Sequence, residues 1–190
     1  YFSPNLLLDH CKDGSTLSGH ISHKNVNGVE FSTGSLGHGL SVGVGIALSG
    51  KKDKKDFSTY VLLSDGELNE GSNWEAIMFA SHHYLSNLTI IIDRNRLQSL
   101  EDTEKTLALE PLDEKFKSFG LDVIEVDGHD HSKLINAFEK KAKSGKPKVI
   151  IAKTTKGKGV SFMENSVEWH YRSPLDTNFE QAIFEINNEK

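Results

Sequence analysis

Two oxygen-bearing side chains, Asp65 and Asn95, each follow a short apolar run. Tyr60–Leu63 leads into Ser64-Asp65-Gly66, and Leu88–Ile92 leads into Asp93-Arg94-Asn95. A helical stretch separates the runs, so they read as parallel strands with both side chains at their carboxyl ends. In open α/β sheets that edge is where ligands bind. A carboxylate, an amide oxygen and a nearby backbone carbonyl are hard donors, suited to a Mg²⁺ that keeps positions for phosphate oxygens and water. Gly66, lacking a Cβ, lets backbone approach a phosphate closely. These residue types at this spacing point to a magnesium-bridged diphosphate.

The elements that must position these residues follow from patterning. A short helix is predicted around Pro4–His10 and a longer one over Gly37–Ser49, which contains Gly37, Gly39, Gly43 and Gly45. Each interior glycine costs a helix up to about 1 kcal/mol. Close backbone packing, inside the domain or across a subunit boundary, is expected to compensate. Helix Asn73–Tyr84 joins the two strands, and a loop runs from the second strand through Pro111. Leu112–Phe119 reads as a helix closed by Gly120, followed by strand Asp122–Val126. Ser132 is the expected N-cap of the next helix, with Leu134, Ile135, Phe138 and Ala142 on one apolar face. Gly145-Lys146-Pro147 ends that helix, and Val149–Ala152 supplies a further strand. The alternation predicts an α/β fold, a doubly wound parallel sheet with helices on both faces. Its 190 residues suffice for a single domain with a substantial core.

Composition narrows the function classes. A formal net charge of −5 opposes a nucleic-acid partner. The basic run Lys51–Lys55 is interrupted by Asp53 and followed by Asp56, and reads as a solvated loop. No apolar run approaches the roughly 18 residues of a membrane span, so no membrane partner is expected. YFSPNLLLDH has neither the basic start nor the cleavage site of a signal peptide. The single cysteine, Cys11, suits a reducing compartment, and a cytoplasmic location is expected. Gly45 to Gly50-Lys51 mimics a phosphate loop but continues with Lys52 and falls at a helix end; Gly37-x-Gly39 lacks a third glycine at Val42. Zinc would need three or four converging ligands, and His20-x-x-His23, His82-His83 and His129-x-His131 are too scattered to supply them.

The acid-Gly pair with Asn about thirty residues on resembles the thiamine-diphosphate signature, and the surrounding segments resemble the transketolase family. FSTGSLGHGL (31–40) is similar to that family's TG-x-LG-x-G segment, and SDGELNEGSNWEA (64–76) to its signature with downstream acids Glu70 and Glu75. LSGH (17–20), EVDGHD (125–130) and KTTKGKGVSFMENSVEWH (153–170) keep the family's order and spacing.

The resemblance implies thiamine diphosphate and Mg²⁺ as cofactors. Asp65 and Asn95 would give side-chain oxygens to the metal and Leu97 its backbone carbonyl. Gly34, Ser35 and Leu36 would meet the cofactor's rings, while Gly66, Glu67, Asn95 and His170 would lie at the diphosphate. His20 and His170 are the expected catalytic residues, facing substrate. Glu70 and Glu75 would sit at a subunit interface and share protons between chains. Ser64 departs from the family's usual Gly, and tight packing there would weaken the cofactor site. The resemblance also implies that the chain lacks the N-terminal part of the diphosphate-binding domain. No pyrimidine-binding domain is recognisable, so a split transketolase is expected: an N-terminal subunit working with a separate C-terminal, pyrimidine-binding chain as α₂β₂, or as a homodimer of this chain, on sugar or sugar-phosphate substrates. Two alternatives stay open: an oxo-acid dehydrogenase α-type subunit with the same metal grip, and a non-catalytic assembly protein of the same fold.

Overall fold

A computed structural model describes residues 1–142 and 145–188. Four strands form one parallel sheet: β1 (Thr59–Ser64), β2 (Leu88–Arg94), β3 (Asp122–Asp127) and β4 (Lys148–Lys153), in the order β1-β2-β4-β3. The helices are α1 (Gly39–Lys52), α2 (Gly71–His82), α3 (Thr103–Leu107), α4 (Leu112–Ser118), α5 (His131–Glu139) and α6 (Asp176–Asn188). The expected parallel α/β sheet is observed. β2 and β4 take the centre because their runs, LTIIIDR and KVIIAK, are β-branched and apolar on both faces. Ile90, Ile92, Val149 and Ile150 are fully buried. Each such side chain stabilises the fold by about 1.5–3 kcal/mol relative to exposure. β1, at one edge, leaves Tyr60 and Leu62 exposed.

Glycine-rich α1 starts at Gly39, two residues later than expected, because Gly37 has φ +85° and belongs to the preceding loop. A Cβ on Gly43 would lie 2.4 Å from Cγ2 of Val61. Close approach of α1 to β1 therefore explains this glycine from within the domain.

Some elements differ from the sequence reading. Asp130, not Ser132, caps α5, its carboxylate accepting from the Lys133 amide at 3.0 Å. That helix ends at Glu139, so Ala142 lies beyond it, and Ala137 rather than Ile135 or Phe138 is its buried residue. The early terminator is Lys148. Its ammonium, on a side chain 6% exposed, donates to the carbonyls of Ala137, Phe138 and Lys140 at 2.9, 2.8 and 3.0 Å. Burial pushes its pKa down, and the three carbonyls at the negative helix end compensate the charge. Lys148→Met keeps the stem and removes the donors. It should lower stability by about 2–3 kcal/mol, read as a lower urea midpoint; an unchanged midpoint would show that the cap contributes nothing.

Candidate metal and cofactor site

β1 and β2 pair in register from Thr59↔Leu88 to Ser64↔Asp93. The residues after each strand, Asp65 and Asn95, therefore emerge at the same sheet edge, as expected from sequence. Asp65 is fully buried. Its Oδ2 accepts from Nη1 of Arg94 at 3.0 Å and from the Arg96 amide at 2.6 Å, while among the described residues Oδ1 accepts only from the Gly66 amide at 2.8 Å. Burial pushes the Asp65 carboxyl above its ordinary range, against the pull of the Arg96 amide, the Arg94 guanidinium and the Gly66 amide.

Asn95 is fixed from both ends of its amide. Nδ2 donates to Oδ1 of Asp93 at 3.2 Å, and its own Oδ1 accepts from the Leu97 amide at 3.0 Å. The hydroxyl of Thr154, just beyond β4, also donates to Oδ1 of Asp93. A carbonyl or carboxylate oxygen has two lone pairs. Oδ1 of Asp65 and Oδ1 of Asn95 each keep one, and the Leu97 carbonyl accepts no hydrogen bond among the described residues. An all-oxygen set with spare acceptor capacity fits Mg²⁺. Among the described residues, no group of three or more His, Cys, Asp or Glu is placed to hold a metal.

Gly66 and Glu67 play parts the sequence did not suggest. Gly66 opens a 3-10 turn, Gly66–Asn69, and a Cβ on it would lie 2.7 Å from Cβ of Gln98. The close approach it permits is thus with the chain following β2. The Glu67 carboxylate turns to the Gly37 amide, accepting at 2.9 Å. Ser72 Oγ donates to the Gly37 carbonyl at 2.7 Å. Together they dock the Gly34-Ser35-Leu36 loop beside the Asp65 turn. At the loop tip Leu36 is 55% exposed, an apolar surface that fits an aromatic ring. Ser64, the departure from the family pattern, is exposed, and its hydroxyl accepts from the Glu67 amide at 3.1 Å. It supports the turn rather than crowding it.

The histidines divide. His20 packs on the loop: a Cβ on Gly34 would lie 2.3 Å from its Cδ2. His170 ends a separate 3-10 turn, Val167–His170, against Tyr171. No hydrogen bond joins it to Asp65, Gly34 or His20 among the described residues. Burial and the neighbouring Lys156 charge hold its pKa below the usual histidine value, favouring the neutral ring. Glu70 and Glu75 are exposed at the start of α2 and within it.

Sequence reasoning missed Arg94. Only 4% exposed, it binds Asp65, Thr103, Glu104 and Glu110 at 3.0, 2.7, 2.8 and 2.7 Å. Burial opposes its charge, but Glu110, Asp65 and Glu104 raise its pKa on balance. A cation closing a buried apolar strand was the available signal; its partners, scattered along the next loop, gave none.

The sequence matches the family described as "Transketolase, thiamine diphosphate binding domain" over residues 7–183. The chain belongs to the transketolase family. It is 46% identical over 175 residues to one of the subunits of the apulose-4-phosphate transketolase of Phocaeicola vulgatus, covering 92% of this chain and 62% of that one. Identity to the corresponding Actinobacillus succinogenes protein is 44% over 190 residues, covering 100% of this chain and 68% of the relative. A Pichia stipitis transketolase crystal structure superposes with TM-score 0.87 at 31% identity, over 96% of this chain and 29% of that one. This transketolase chain thus spans about 62% of the Phocaeicola relative's length. Among its described residues no helix is long and apolar enough to cross a membrane.

Proposed function

We propose that this chain forms the diphosphate-binding part of a two-chain transketolase, moving a two-carbon ketol unit from a ketose to an aldose. The observation that carries the reading is the joint placement of Asp65 and Asn95 at one sheet edge, beside a loop docked by Glu67 and Ser72. Relatives that are themselves single subunits of an apulose-4-phosphate transketolase support a division of the enzyme between chains and a sugar-phosphate substrate class.

In this reading Oδ1 of Asp65, Oδ1 of Asn95 and the Leu97 carbonyl would hold Mg²⁺ beside the diphosphate of thiamine diphosphate. The bound cofactor supplies the carbanion chemistry that breaks and forms the carbon–carbon bond. The chain's own residues place it. Glu67 and Ser72 set the position of Gly34-Ser35-Leu36 against its rings. His20, braced on Gly34, donates a hydrogen bond to a substrate oxygen as charge develops there. His170, whose pKa is held below the usual histidine value, would hold or pass a proton at a substrate or diphosphate oxygen. The partner chain supplies the pyrimidine-binding half, most simply as α₂β₂. Met78 and Phe79, exposed on α2 beside Glu75, offer apolar surface for such an assembly. A cytoplasmic site of action accords with the lone, exposed Cys11.

The test is purification of the tagged chain from its host with Mg²⁺ and thiamine diphosphate, followed by native mass spectrometry and glycolaldehyde-transfer assays. The expected result is a complex with a second chain that carries cofactor and transfers the unit, while this chain alone is inactive. Transfer by the isolated chain would overturn the two-chain reading.

A further inference from the structure

We propose that Arg94 is a positioning residue for the metal, selecting which oxygen of Asp65 is offered to it. The inference rests on the reading of Asp65 as a Mg²⁺ ligand and goes beyond it. Its basis is the unequal engagement of the two carboxylate oxygens. Oδ2 is saturated, with Nη1 of Arg94 at 3.0 Å and the Arg96 amide at 2.6 Å; among the described residues Oδ1 has the Gly66 amide alone, at 2.8 Å. A cation can therefore reach this carboxylate through one oxygen, and the ligation is monodentate through Oδ1.

The guanidinium is itself fixed. Nη1 also donates to Oγ1 of Thr103 at 2.7 Å, and Nη2 donates to Glu104 and Glu110 at 2.8 and 2.7 Å. Its Nε is buried without an acceptor among the described residues, so these four partners alone hold the group in place. Glu104 in turn accepts from the amides of Leu109 and Glu110, and Glu110 from the amide of Leu112. The 102–112 segment is thereby tied to the ends of β1 and β2 through one planar, forked cation. A lysine is a point charge on a flexible stem and cannot span Asp65, Thr103 and two glutamates at once.

The experiment measures Mn²⁺ binding by electron paramagnetic resonance in the assembled complex with thiamine diphosphate, comparing wild type, Arg94→Lys and Glu110→Gln. Arg94→Lys frees Oδ2 and should weaken Mn²⁺ about ten-fold or more, the range for partners that orient a ligand. Glu110→Gln loosens the segment but keeps the Arg94–Asp65 bond, and should stay within about two-fold of wild type. A merely structural Arg94 would lower the melting midpoint and leave Mn²⁺ affinity alone, or would lower it equally in both variants; either result overturns the inference. Should Arg94→Lys fail to assemble, Arg94→Gln, whose shorter amide cannot reach Oδ2 of Asp65 and so also frees it, takes its place under the same criterion. Wild type that takes up no Mn²⁺ would overturn the metal reading itself, and this inference with it.

Discussion

Asp65→Asn is expected to abolish Mg²⁺-dependent retention of thiamine diphosphate while leaving the chain folded. Removing the negative charge would take away the strongest donor of the proposed metal-binding set, whose other members, Asn95 and the Leu97 carbonyl, are neutral. An effect on the order of 100-fold in cofactor affinity or larger is expected, because loss of a direct ligand exceeds the 10–100-fold typical of its supporting partners. The local geometry adds to it. Both Asp65 oxygens accept from backbone amides, Oδ1 from Gly66 and Oδ2 from Arg96. An asparagine amide turned either way sets its NH₂ against one of those donors, so it cannot reproduce the carboxylate. Folding should survive, since Arg94 keeps Glu104 and Glu110 as counter-charges. Isothermal titration of the complex with thiamine diphosphate, with and without Mg²⁺, gives the answer. Retained Mg²⁺-dependent affinity would remove Asp65 from the metal shell.

Gly34→Ala should produce the second large effect, through geometry instead of charge. Gly34 has φ +141°, a backbone region that side-chain-bearing residues rarely adopt, and its missing Cβ space is filled by the His20 ring at 2.3 Å. The substitution forces either the loop or His20 to move. Local strain of about 1–3 kcal/mol is expected, enough to lower the melting midpoint by roughly 2–12 °C. Activity should fall much further, about 100-fold, because misplacement of roughly 1 Å is enough for such a loss. The disproportion between a small thermal shift and a large kinetic one is the signature. Near-wild-type turnover would mean that neither His20 nor the loop is held where the reaction needs it.

The parts of this molecule visible in its sequence are those fixed by neighbours along the chain. LTIIIDR and KVIIAK are apolar at nearly every position and so announced buried strands, although only the structure places them at the centre of the sheet. The residues that follow them fell into place at the ligand edge. Gly43 could be read as a close-packing site, although only the structure names Val61 as what it meets. What escaped depends on distance in sequence or on brevity. α3 spans five residues with a single buried side chain, Thr103, too short for any period to show. α6 was not anticipated; Ala182 is its one buried residue, and Phe179, Ile183 and Ile186 stay exposed. Arg94 finds its partners at Asp65, Glu104 and Glu110, pairings no local pattern encodes. Ser132 lost the cap of α5 to Asp130, whose carboxylate reaches the third amide of the helix.

Glu67 stands two residues from Asp65 and holds the Gly37 amide, thirty residues away, through a single short side chain. In the proposed reading it would therefore act as a gauge, setting the span between the place where the diphosphate would be gripped and the place where a ring would be cradled. A ligand that fits one end but is a bond too long or too short gains little from the other, so the two ends select jointly for length. Occupancy at either end should also stiffen its neighbour. Fragments matching the two halves should accordingly bind with mutual reinforcement, neither holding well without the other.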